Sequence, residues 1–64
     1  MNMRTREQLI DAIKRHKELQ KTWNAEASKM RASGFPMAAE GCLQAAENHK
    51  RSVVVCESEL EALR

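Results

Sequence analysis

Four side chains in this sequence are of types that hold transition metals or act as nucleophiles: His16, Cys42, His49 and Cys56. Zinc takes nitrogen and sulfur ligands that converge within about 2.3 Å of a single ion. The spacing here works against such a centre. His49 stands seven residues from each cysteine, about 10.5 Å along a helix axis, and no close-spaced Cys/His pair occurs. Only an interface between copies could gather the four, so no metal and no cofactor is expected. His16 and His49 read instead as half-buried polar residues, with His49 hydrogen-bonded to Gln20 in a layer that fixes helix register. Imidazole titrates near neutrality, so that layer predicts pH-sensitive assembly.

Other chemistry is equally thin. There is no glycine-rich phosphate loop and no nucleophile with an identifiable base and orienting residue. Glu57, Glu59 and Glu61 read as a solvated face, and two helices supply too little scaffold for a cleft. The expectation is a non-enzymatic protein. Cys42 and Cys56 are fourteen positions apart, about 21 Å on one helix, so they cannot pair within the chain and read as small buried hydrophobes. The longest aliphatic run is Val53–Val55, far short of the roughly 20 apolar residues that span a bilayer. The segment after Arg4 and Arg6 lacks the apolar core of an export signal, which predicts a cytoplasmic protein that keeps its thiols reduced.

The elements that would carry these residues follow from punctuation and periodicity. The chain has 64 residues, two Gly and one Pro, and Ser33-Gly34-Phe35-Pro36 divides it nearly in half. Gly34 suits the left-handed position that closes a helix, Phe35 can fold back toward Met30, and Pro36 is fitted to open a second helix. Thr5 and Gln8 have the spacing of a capping box, with Glu7 near the positive end of the helix dipole. Asp11 and Arg15 are spaced for an exposed ion pair. One core-facing series runs Leu9, Ile13, His16, Gln20, Trp23, Ala27, Met30, and a second runs Ala39, Cys42, Ala46, His49, Val53, Cys56, Leu60, Leu63. Both alternate spacings of three and four, as a helix-packing seam requires. The fold class is therefore all-α: a single domain over residues 1–64, an antiparallel helical hairpin with one helix over about 5–33, a turn at 34–35 and a second helix over about 36–63.

Folding about the turn pairs Met30 with Ala39, Ala27 with Cys42, Trp23 with Ala46, Gln20 with His49, His16 with Val53, Ile13 with Cys56, and Leu9 with Leu60. Trp23 is expected in the core among Ala39, Cys42, Ala45 and Ala46, at a truncation cost of about 3–5 kcal/mol. Ile10, Ala12 and Leu19 flank the first seam and Leu43, Val54 and Val55 the second, and a lone hairpin has no third layer to cover them. Of these, Ile10, Leu19, Leu43, Val54 and Val55 form the candidate surface for self-association or for a protein partner, most simply a twofold dimer in a four-helix bundle.

Charge offers a competing surface. Residues 1–33 carry eight Lys/Arg and four Asp/Glu, residues 34–64 three and five. Lys14, Arg15, Lys17 and Lys21 are the candidate nucleic-acid contacts. Asp11, Glu18 and Glu26 interrupt the run, no aromatic residue is interleaved for base stacking, and a solvated charged face accounts for the same pattern.

The opening Asn2-Met3-Arg4-Thr5-Arg6-Glu7-Gln8-Leu9, the mid-helix Trp23 and the Gly34-Phe35 turn resemble the small early-region proteins of lambdoid bacteriophages, in particular those encoded between the recombination exonuclease and excisionase genes. That resemblance implies a non-enzymatic accessory protein of the host cytoplasm that biases host physiology or the lysis–lysogeny choice by binding, with a host protein as partner. In length and architecture the chain is also similar to plasmid copy-number RNA-binding hairpin dimers, from which RNA binding follows by analogy alone.

Overall fold

A computed structural model describes residues 4–64, and Asn2 and Met3 lie outside the described residues. Two helices of 27 residues each, α1 (Arg6–Ala32) and α2 (Pro36–Ala62), pack antiparallel along their whole length. No strand occurs among the described residues. The result is a rod of 47 × 16 × 16 Å.

Local chemistry sets each boundary. The Thr5 hydroxyl accepts from the Gln8 backbone N–H at 3.1 Å, and the Gln8 side chain accepts from the Thr5 N–H at 2.9 Å. This reciprocal box satisfies two amides that the first turn would otherwise leave without partners. At the other end Gly34 adopts φ +84°, where a side chain is strained. The Gly34 N–H donates to the Arg31 carbonyl at 3.1 Å and the Phe35 N–H to the Met30 carbonyl at 2.8 Å, the two bonds of a Schellman ending. Pro36 opens α2 without wasting a donor. Gly34→Ala is therefore expected to destabilise the hairpin by about 1–2 kcal/mol through backbone strain alone, since the space around the position is open. Thermal unfolding followed by circular dichroism measures it, and an unchanged melting temperature would mean that the turn rearranges freely.

The core is narrow and comes in two clusters. Leu9, Ala12 and Cys56 are buried near the open end, with Ile13 and Leu60 packed on them. Ala27, Ala39 and Cys42 are buried near the turn, with Met30 and Leu43 packed on them. Ala46 and Val53 are buried between the two clusters. These groupings match the expected pairs at both ends. Cys42 and Cys56 are free thiols, one in each cluster.

Two expected core positions are exposed. Trp23 is 36% exposed. The residues opposite it are small, so the helices approach closely and leave a gap too narrow for an indole. The ring lies instead along the flank beside Leu19, Thr22 and Glu26. Leu63 lies past the end of α2 as its C-cap and is exposed. The expected Asp11–Arg15 ion pair does not form. Among the described residues the ion pairs are Arg4–Glu59 at 2.7 Å, which ties the approach to α1 to the last turns of α2, and Arg64–Glu61 at 3.4 Å.

Candidate functional site

The exposed apolar residues fall on more than one side of the rod. In an antiparallel pair, the Arg4–Glu59 bridge identifies the flanks of α1 and α2 that share a face. By helical periodicity Leu19 and Trp23 belong to that face, whereas Ile10, one residue and about 100° on from Leu9, belongs to the opposite one. Ile10, Leu19, Val54 and Val55 are all exposed, Val54 at 56%. Val54 and Val55 adjoin Glu47, Lys50 and Arg51 on the outer side of α2. Leu43 is half-buried, packed within the chain against the turn-proximal cluster, and so offers less outer surface than the other four. Sequence reasoning missed Trp23, Phe35 and Met37, the last 89% exposed. The signal that could have found Trp23 was its size against the alanines opposite.

The basic residues are exposed but do not make one stripe. Lys14, Lys17 and Lys21 share a flank at spacings of three and four. Arg15 turns away from it and lines a surface depression with Asp11, Lys14 and Glu18. The two carboxylates dilute the positive field there.

Between the two apolar clusters the helices are joined by a polar contact. Nδ1 of His16 lies 2.8 Å from Nδ1 of His49, with ring centroids 5.1 Å apart and planes tilted by 37°. One ring must donate and the other accept. This replaces the expected Gln20–His49 bond and takes His16 away from a simple pairing with Val53. The two histidines stand in adjacent layers, and imidazoles are long enough to meet on the diagonal. Both rings are half-buried, as is Gln20. A cleft of about 240 Å³ lined by Arg4, His16, Arg51, Ser52, Val55 and Cys56 opens this layer to solvent.

The pair is poised against acid. Burial, followed by the nearby His49, Arg15 and Arg4, holds the His16 pKa below its ordinary value. Arg4 is itself held by Glu59, and Arg51 lines the same cleft. Protonation of His16 puts a positive charge into a half-buried setting beside Arg15 and Arg4. A folded-state pKa below the unfolded one means that the unfolded chain takes up the proton first. The pair's stabilisation is thus complete above about pH 6.5 and is lost as pH falls through the His16 pKa. The melting temperature is expected to drop between pH 7.5 and pH 5, and to drop less in His16→Gln. Equal drops in the two proteins would assign the acid sensitivity to other groups.

Among the described residues no group of three or more His, Cys, Asp or Glu side chains converges as a metal site, and no helix is long and apolar enough to cross a membrane. Comparison with known protein families, with curated proteins and with solved structures gives no match.

Proposed function

We propose that this chain is a small non-enzymatic interaction protein that self-associates, most simply as a twofold dimer in a four-helix bundle, and acts as a phage-type accessory modulator by binding a host protein in the cytoplasm. The observation that carries this reading is the mismatch between covered and uncovered apolar surface. Among the described residues eight are buried, and of these only Leu9 and Val53 are large aliphatics, while Ile10, Leu19, Trp23, Val54 and Val55 face water. The chain exposes 5176 Å², whereas a compact globular protein of 7.3 kDa exposes about 4,200 Å². The excess is on the order of what one partner contributes to a standard interface, about 800 Å². Packing a second rod against the first removes both the excess and the unpartnered side chains.

Sedimentation or light scattering of the whole chain tests self-association. The expected mass is twice 7.3 kDa, with a melting temperature that rises with concentration. A monomer with a concentration-independent melt would remove the dimer and leave the exposed residues to a different partner.

A second reading is favoured by one observation: Lys14, Lys17 and Lys21 are exposed on one flank and none takes part in an ion pair among the described residues. As a nucleic-acid-binding hairpin dimer the chain would use these lysines with Arg15 on phosphates. Binding to generic DNA or RNA that falls steeply with salt supports this reading, and no binding at low salt removes it.

A further inference from the structure

The His16–His49 contact has the makings of a ligand site that intrahelical spacing concealed. Each helix contributes one imidazole nitrogen, and the two nitrogens point at one another at 2.8 Å. Two nitrogens bound to one tetrahedral ion at 2.0–2.1 Å each stand about 3.3 Å apart. For an ion to replace the bridging proton, the rings therefore need to part by about half an ångström and each to turn by about 35°, so that both lone pairs converge on it. We propose that His16 and His49 form a two-ligand clamp for a divalent transition-metal ion that favours imidazole, with zinc as the representative.

The donors are in the right state for it. Metals take neutral imidazole, the form of His16 that burial and the neighbouring cations favour. Binding shifts the donating ring's proton from Nδ1 to Nε2, so two neutral rings release no net proton. A ring that begins protonated releases one, and affinity falls on acidification. No third His, Cys, Asp or Glu completes a cluster among the described residues, so water fills the remaining positions and reaches them through the cleft beside Arg51 and Ser52. Arg15 and Arg4 oppose the ion's charge, the latter offset by Glu59 at 2.7 Å. The site is accordingly an open, exchangeable clamp rather than a structural centre. Its effect is to cross-link α1 to α2 between the two apolar clusters, where the seam carries polar side chains. An ion bound only by the paired, folded histidines stabilises the hairpin in proportion to its concentration.

The test is thermal unfolding of the full chain at pH 7.5 in zinc chloride, in magnesium chloride and in a chelator. Zinc is expected to raise the melting temperature by about 5 °C or more, the shift that roughly tenfold preferential binding to the folded chain gives at this size. Magnesium, which demands oxygen ligands, should have no effect. His16→Gln and His49→Gln should each lose at least nine-tenths of the zinc response. A full response in either variant would place the ion on the thiols or on surface carboxylates and overturn the clamp, as would no response in the unaltered chain. Should the variants fail to fold, the imidazole C–H resonances of the unaltered chain decide. Both rings must shift together and saturate at one zinc per chain, and a shift of one ring alone overturns the proposal.

Discussion

Leu9→Ala is expected to bring the hairpin to the edge of unfolding at room temperature. Leu9 is 1% exposed, and it and Cys56 are the largest side chains fully enclosed. Its burial is shared with Ala12, Ile13, Cys56 and Leu60. Deleting a buried leucine side chain costs about 2–5 kcal/mol, the upper part of the range where neighbours cannot collapse. A domain of this length has a total stability of about 3–10 kcal/mol, so the loss consumes a large share of it. Urea and thermal unfolding should show a melting temperature at least about 8 °C lower. A smaller drop would mean that the open end contributes little to the cohesion of the pair.

At the turn-proximal end the opposite failure is expected. Ala39 is 0% exposed and packs in the cluster with Ala27 and Cys42. Small residues facing one another let two helix backbones approach closely, so added carbons have nowhere to go. Ala39→Leu should destabilise by about 1–3 kcal/mol through overpacking, forcing the helices apart beside the turn. The melting temperature should fall by about 4 °C or more, and indole fluorescence should report a changed setting for Trp23. A rise in stability would reveal a void beside Ala39 and would recast the small residues there as under-packing.

Both sites were legible in the sequence because the information that sets them is local or periodic. Thr5 with Gln8, Gly34 with Phe35, and Pro36 act through their own backbone neighbours, and the alternating spacings of three and four fix which residues face the seam. Periodicity does not encode the distance between two axes. That distance is set jointly by the facing residues, which is why Trp23 was assigned to a core that Ala39, Cys42 and Ala46 had made too thin to hold it. Nor does periodicity choose among diagonal neighbours. The His16–His49 contact joins adjacent layers, a choice made by side-chain length and by the gain from pairing two half-buried polar rings. The exposed ion pairs were the least legible. Arg4 reached Glu59 across the groove while Asp11 and Arg15 stayed apart, differences of a few tenths of a kcal/mol that small changes in surroundings decide.

The Schellman turn also dictates an order of assembly. Because α1 and α2 are joined by only three residues, Ser33–Phe35, the first cross-helix contacts to form, around Met30 and Ala39, close a very small loop and lose little chain entropy. Each later layer is brought within reach by the one before it, so pairing advances like a zipper from the bend and the nucleus lies among the alanines there. Unzipping runs the other way: Leu9 and Cys56 part first and the Ala27–Ala39 layer last, which makes the speed of folding a property of the bend and its durability a property of the far end.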